Sequence, residues 1–309
     1  MVVMMNGFMQ KMLAVAFPLL VALLLTGFIP TTQPLSQSQN IDTRLHLKRL
    51  NVLTAAELEQ AFDELGYSWP PQAGGIIPAI ELTTLPPDLA QVTDVKKKKA
   101  LFFRALLPIV LAENEKVAEL RRHIQQLLKK GVTQLDAAER RWLETIAQQH
   151  KVKGDITDAQ WQRKLLRRVD VVPPALVLAQ AANESAWGTS RFARQGNNLF
   201  GQWTYRQSEG IVPLGRPEGE TYAVRAFTSI DASVRGYIQN INSNAAYAEL
   251  RRLRQQMRDN GEALDSHVLA TGLMAYSARG EEYIAELQAM MRSNRLLTVL
   301  ESLSLKSEF

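Results

Sequence analysis

The chain has 309 residues, 46% of them hydrophobic and 22% charged, with a formal net charge of +5 and no cysteine. This composition suits a globular protein long enough for a leader, a helical module and one catalytic domain. It excludes disulfides, thiolate metal sites, a cysteine nucleophile and a lipid-bearing cysteine. The four histidines (His46, His123, His150 and His267) sit at no ligand spacing, so no metal and no cofactor is expected. The mild positive balance suits an anionic polymer or surface. No arginine–aromatic signature of a nucleic-acid reader accompanies it, so no nucleic acid is expected as partner.

In chain order, Lys11 precedes the apolar run Met12–Ile29, which holds Leu19, Leu20, Leu23, Leu24 and Leu25. A positive residue ahead of such a run reads as a secretory leader. The run is long for a leader core and lacks an Ala-x-Ala exit, so a retained membrane anchor is a second reading. Pro18 and Gly27 interrupt the run, and a buried core helix is a third. Leader and anchor both put the rest of the chain in the periplasm or cell envelope, and residues 1–30 are assigned to this segment. Thr31–Asn40 is rich in Gln, Ser and Thr and reads as flexible. Leu53–Leu65 suits a short helix, with Thr54 as N-cap and Glu57 completing a capping box. Pro70, Pro71, Gly74, Gly75, Pro78, Pro86 and Pro87 punctuate the next stretch, so residues 31–94 are expected to be a linker with little regular structure.

Helical signals then dominate. Lys96–Lys99 reads as the solvated start of a helix carrying the apolar run Leu101–Leu111, with a polymer or lipid contact as the alternative. Val117–Lys130 repeats Leu120, Ile124, Leu127 and Leu128 at helical spacing and ends on Gly131. Leu135–Gln149 and Thr157–Arg168 complete an expected helical extension over 95–167. Val172–Ala186 opens on Pro173 and Pro174, where proline belongs in a first helical turn, and Gly188 would close it. From Asn197 the texture changes. Gln202–Val212 and Glu220–Phe227 look like strands around the turn cluster Gly215–Gly219, which makes a β-hairpin the simplest expectation. Helices return at Ser229–Asn244, Tyr247–Asn260, Leu264–Met274 and Glu281–Asn294. The expected fold class is mostly α: a helical domain with a small β-hairpin lobe.

The chemistry centres on Ala179–Ser190, where Glu184 is the single acid in a small-residue, apolar helix. A buried carboxylate is costly unless paired, hydrogen-bonded or protonated. Burial and the negative end of a helix dipole both favour the protonated form. An acid kept protonated near neutral pH is suited to protonating a leaving oxygen. Trp187, three residues on, is expected on the same face, to line the site or stack on a sugar. A structural glutamate inside a helical bundle is the competing reading.

Leu178–Ser190 (LAQAANESAWGTS), followed by Gly196–Gly201 (GNNLFG), resembles the glucosaminidase family that cleaves peptidoglycan, family 73 of the glycoside hydrolases. The members it looks most like are the secreted Bax-type bacterial proteins. The resemblance spans about Arg168 to Asn294, within an expected catalytic domain at 168–296 followed by a tail at 297–309. It implies a lysozyme-like helical fold with a β-lobe beside the cleft. Glu184 takes the general-acid role, and Tyr276 matches a cleft-lining tyrosine with a catalytic part. Asn198 and Phe200 are expected to touch substrate, or else to form a turn and a core position. The family usually carries a second acid on the first lobe strand. The matching stretch Val212–Gly215 holds none, which leaves Glu209, Glu218 and Glu220 as candidates. The expected activity is hydrolysis of the β-1,4 bond after N-acetylglucosamine in peptidoglycan glycan strands. A lytic transglycosylase or muramidase is one alternative, and a non-catalytic glycan-binding envelope protein is another.

Overall fold

The computed structural model describes residues 47–72, 74–300 and 303–305. The Met12–Ile29 run and the Thr31–Asn40 stretch lie outside the described residues. Among the described residues no helix is long and apolar enough to cross a membrane.

The fold is mostly α, with only short strands, in the lysozyme-like arrangement of a helical body and a β-lobe. Strand β1 (Lys48–Arg49) pairs in parallel with β3 (Ile80–Glu81), and β2 (Ile76–Ile77) pairs in parallel with β7 (Ser304–Leu305). Helix α1 (Ala55–Glu64) forms behind the expected capping box: Thr54 accepts from the Glu57 amide while Glu57 closes back on the cap. Such a cap is worth about 1 kcal/mol. From residue 47 onward these elements correct the expectation of a linker over 31–94. Leu58, Phe62, Ile77, Ile80, Leu82 and Leu89 are buried in the main core. Strands of only two residues leave too little alternation to register as a period. The described part of the expected tail likewise belongs to the fold, because β7 completes the pair with β2.

Helix α2 (Val95–Lys130) runs unbroken for 36 residues, about 54 Å at 1.5 Å per residue. Asp94 caps it by accepting from the Lys96 and Lys97 amides. The Ala-Glu-Asn-Glu-Lys stretch at 112–116 contains mostly good helix formers, so nothing breaks the chain between the two helices expected from the pattern. Its first half, Leu101 to Val110, sits in the main core. Its second half packs through Ile124 and Leu127 against α3 (Ala137–Gln149) and α4 (Ala159–Arg168), forming a second core with Leu143, Trp161 and Leu165. One helix therefore belongs to both cores, and residues 95–167 are not a separate extension. Where the two bodies meet, buried Asp170 lies 3.0 Å from Arg258 and 3.8 Å from the fully buried Arg254.

Helix α5 (Pro174–Ser185) is buried on nearly every side and packs on α2. After it come α6 (Arg191–Gly196) and the lobe strands β4 (Trp203–Thr204), β5 (Gly210–Ile211) and β6 (Ala223–Arg225). The lobe is a three-stranded antiparallel sheet in the order β4-β6-β5, which corrects the two-stranded hairpin. A 3-10 turn at Gln207–Glu209 splits the expected first strand, so its two halves flank β6. Helices α7 (Ile230–Ser243), α8 (Ala248–Asp259), α9 (Ser266–Ala270), α10 (Glu281–Ser293) and α11 (Leu296–Val299) complete the body.

Candidate active site

Glu184 lies in the last turn of α5, and the chain leaves that turn through three consecutive left-handed residues, Ala186, Trp187 and Gly188. Ser185 fastens the exit: its hydroxyl donates to the Ala181 carbonyl and accepts from the Gly188 amide at 2.7 Å. Gly188 has φ +77°, and a Cβ there would overlap Leu85 and crowd Phe102. The exit from the acid-bearing helix is thus seated in part on Leu85, within the segment expected to be linker.

This exit corrects the placement of Trp187. The helix has ended before it, so the indole does not share a helical face with Glu184. It packs edge-on against Phe102 and Phe103 at 5.8 and 5.2 Å, with the Lys99 ammonium 4.6 Å from its ring centre. Trp187 is an anchor for the turn, and Lys99, expected to be solvated, covers it.

Around the carboxyl group the structure gathers phenols. Tyr283, on α10, stands beside Glu184, where its hydroxyl favours the ionised carboxylate, and its oxygen accepts from Gln180 Nε2 at 2.9 Å. The Gln180 carbonyl in turn accepts from the Tyr237 hydroxyl. Gln180 is fully buried one turn before Glu184, so two hydrogen bonds link Tyr237 through Gln180 to Tyr283, the phenol beside the acid. The ring of Tyr276 stacks on Tyr283 at 5.5 Å with 2° between planes and lies 5.7 Å from Tyr247. Burial pushes the Glu184 carboxyl above the ordinary value of 4.5, and the nearby Glu286 pushes the same way. The Tyr283 hydroxyl and the Arg279 guanidinium favour the ionised form and offset part of the rise. Burial likewise pushes the Tyr276 and Tyr237 phenols well up, reinforced by the charge of Glu184. These tyrosines stay protonated and serve as neutral donors.

Over this cluster lies the Asn197–Gly201 loop. Gly201 has φ +63°, and a Cβ on it would stand 3.7 Å from Glu184 Oε2, so the loop backbone borders the acid directly. Tyr276 donates to the Phe200 carbonyl at 2.8 Å and holds the loop in place. Phe200 itself is a core residue, 2% exposed and stacked on Tyr237 at 4.1 Å, which is the core position of its two expected roles and not the substrate contact. Asn198 likewise takes the turn role. Its amide donates to the Gln202 and Arg225 carbonyls and accepts from the Phe200 and Gln202 amides. All four of its hydrogen-bonding positions are used in joining loop to lobe.

Glu209, Glu218 and Glu220 are exposed, and Glu209 pairs with Arg206 at 3.0 Å. The carboxylate whose field reaches Glu184 is Glu286, one turn beyond Tyr283 on α10 and ion-paired to Arg279. Among the described residues no group of acids and histidines is placed to hold a metal ion.

The chain is similar to known proteins over this region. The family described as mannosyl-glycoprotein endo-beta-N-acetylglucosaminidase matches residues 159–296, from α4 to the start of α11. Protein bax of Escherichia coli (strain K12) is 32% identical over 213 residues, covering 68% of this chain and 75% of that protein. The chain belongs to the Bax-like glucosaminidase family. A likeness of that length does not fit between residue 159 and the C-terminus, so it reaches upstream into α2. No solved structure matches the chain. In this member of the family, the 197–201 loop borders Glu184 and is held by Tyr276. Tyr283, Gln180, Arg279 and Glu286 are site residues that the sequence pattern did not single out. Gln180 stands inside the Leu178–Ser190 motif, one helical turn before the acid. Nothing in Glu281–Ser293 sets Tyr283 apart from an ordinary core aromatic.

Proposed function

We propose that the chain is a peptidoglycan hydrolase of glycoside hydrolase family 73, cleaving the β-1,4 bond after N-acetylglucosamine with Glu184 as general acid. The observation that carries this reading is the setting of Glu184: a carboxyl whose pKa burial raises, walled by the phenols of Tyr283 and Tyr276 and bordered by the bare backbone of Gly201. A protonated carboxyl there delivers its proton to the glycosidic oxygen as the bond breaks.

Because the lobe acids are exposed and Glu209 is engaged with Arg206, the second half of the reaction is assigned to the substrate. The 2-acetamido oxygen of the sugar attacks its own anomeric carbon, and water later opens the ring so formed. The Tyr276 hydroxyl spends its proton on Phe200, which leaves its oxygen free to accept from the acetamido N–H. A one-acid site also favours a second reading, a lytic transglycosylase. The end groups of digested peptidoglycan decide between them. New N-acetylglucosamine reducing ends support the hydrolase, and 1,6-anhydromuramic ends support the transglycosylase. Binding without any product, unaffected by Glu184→Gln, would instead mark a glycan-binding envelope protein.

The substrate lies outside the inner membrane, and the Met12–Ile29 run supplies the route there, as a cleaved leader or a retained anchor. An export-dependent reporter fused after Phe309 is expected to be active. Activity confined to a cytoplasm-dependent reporter would overturn the location.

A further inference from the structure

The lobe carries an aromatic surface that the chemistry at Glu184 does not use. Trp203, on β4, is 48% exposed, and Tyr205 just beyond the strand is 82% exposed. A large indole in water is unfavourable unless something covers it, since apolar area in water costs about 25 cal/mol per Å². Tyr222 meets Trp203 edge to face at 4.8 Å and 72°. That contact fixes the indole in one orientation and leaves nearly half the residue in solvent. The register explains the pairing. Trp203 lies opposite Val224, so Tyr222, two residues before Val224, is its diagonal neighbour on the same face.

The platform is tied to the candidate active site. Asn198 holds the carbonyls of Gln202 and Arg225 at 2.8 Å each, and the Arg225 amide donates to Gln202 at 2.8 Å. Gln202 separates Gly201, which borders Glu184, from Trp203. The Cα atoms of Gly201 and Trp203 are therefore within about 7 Å of each other, the reach of two extended residues. Gly210 lets the strands close up: a Cβ there would meet the Val224 carbonyl at 2.7 Å and Thr204 at 2.9 Å. The sheet that bears the indole is tightly packed and fixed relative to the acid.

We propose that Trp203, braced by Tyr222 and flanked by Tyr205, is a carbohydrate-stacking subsite that binds a pyranose ring of the glycan strand beside the bond to be cleaved. The inference rests on the reading that the cleft at Glu184 takes a glycan. A pyranose has an apolar C–H face with a polar rim. That face complements the negative face of an aromatic ring. Two exposed rings offer at most about 300–500 Å², less than the about 800 Å² per partner of a standard protein interface. Continuity with Gly201 and Glu184 through Asn198 and Gln202 favours the strand itself over a separate protein.

The test uses full-length Glu184→Gln chain, so that ligand is not consumed, and a β-1,4 N-acetylglucosamine hexamer, with binding read by calorimetry. Trp203→Ala is expected to weaken affinity at least about 10-fold, the order for losing a stacked aromatic face. Trp203→Phe should keep most of it and stay close to the parent in thermal midpoint, because it retains an aromatic ring against Tyr222. In the active chain the same substitution should raise KM for peptidoglycan more than it lowers kcat. Hexamer affinity unchanged in Trp203→Ala and Tyr222→Ala overturns the subsite, as does the absence of hexamer binding by the parent. End-group analysis is independent of this outcome. A chain that binds through Trp203 but releases no product defeats the hydrolase reading and leaves the subsite standing. A chain that cleaves but ignores Trp203→Ala does the reverse.

Discussion

Tyr276 donates to the main-chain carbonyl of Phe200 at 2.8 Å, so a residue from the last third of the chain holds down the loop that borders Glu184. The contact puts Tyr276 in a double position, as a support for the loop and as a phenol in the wall of the site. Tyr276→Phe keeps the stacking on Tyr283 and loses the hydroxyl. It is expected to cost about 0.5–1.5 kcal/mol of stability, the net worth of one hydrogen bond, and to lower kcat more than this loss of folded protein explains. Denaturant melts and turnover measured on the same preparation check both. Full activity with reduced stability would leave Tyr276 a loop support alone.

Tyr283 tunes the acid. Its hydroxyl favours the ionised form of Glu184. Tyr283→Phe therefore raises the Glu184 pKa further, and the alkaline limb of kcat is expected to move to higher pH. Glu286→Gln should act in the other direction, because Glu286 opposes ionisation of Glu184 and engages Arg279. Two pH–rate profiles displaced in opposite senses from the wild type are the expected result. Displacement of both in one direction would mean that another group sets the limb.

The lobe acids are expected to be dispensable. Glu209, Glu218 and Glu220 are exposed, and Glu209 is engaged with Arg206. If the acetamido group of the substrate is the nucleophile, Glu209→Gln, Glu218→Gln and Glu220→Gln each retain near-full turnover. A fall of ~10²-fold in any one, the low end for acid–base assistance, would restore a second protein carboxylate and end the substrate-assisted scheme.

Asp170 is a structural counterpart to Glu184, a buried acid with cations. Burial pushes its pKa up, but Arg254, Arg258 and Arg121 together hold it below the ordinary 3.8. Its contribution to stability is complete above that value and is lost as pH falls through the lower folded value. Asp170→Ala leaves Arg254 buried, its side chain 1% exposed, without its partner. A loss of about 3–5 kcal/mol is expected, the usual cost of breaking a buried pair from one side. Urea melts give the loss, and turnover per folded molecule should not change, since Asp170 belongs to the junction of the two cores.

Much of this architecture is readable as residue pattern. The capping box at Thr54 and Glu57, the proline-led α5 and the Glu184 motif all rest on short-range chemistry, and each appears where expected. The failures share a cause, which is long-range packing. Ile77, Ile80 and Leu82 lie among prolines, in or beside two-residue strands whose partners are far away in sequence, so local pattern does not mark them as core. The same holds at the site. Helical spacing makes Trp187 a neighbour of Glu184, but three left-handed residues turn it onto Phe102 and Phe103. Tyr283 reaches Glu184 across 99 positions, a distance over which neither spacing nor composition speaks.

Glu184 carries the last and most demanding prediction. It is the acid of a small-residue helix, held with a raised pKa by burial and standing beside Tyr283, which Gln180 links to Tyr237. Glu184→Gln preserves shape, but it has no acidic proton to give. The rate is expected to fall by ~10²–10⁴-fold, the range for general acid catalysis. Wild-type kcat should decline as pH rises through the raised pKa, since the ionised carboxylate cannot donate, and the residual rate of the mutant should lack that limb. Stability carries the same signature. The folded state holds the Glu184 proton above the ordinary 4.5, where the unfolded chain releases it. Wild-type stability therefore falls as pH rises from that value through the folded pKa, and levels off above it. Glu184→Gln removes this slope, so the mutant should equal or exceed the wild type in thermal midpoint on the alkaline side. Turnover and melting measured across pH on both proteins decide the matter. A folded mutant with full activity would remove Glu184 from the chemistry, and an unfolded mutant would make it a structural residue of the bundle.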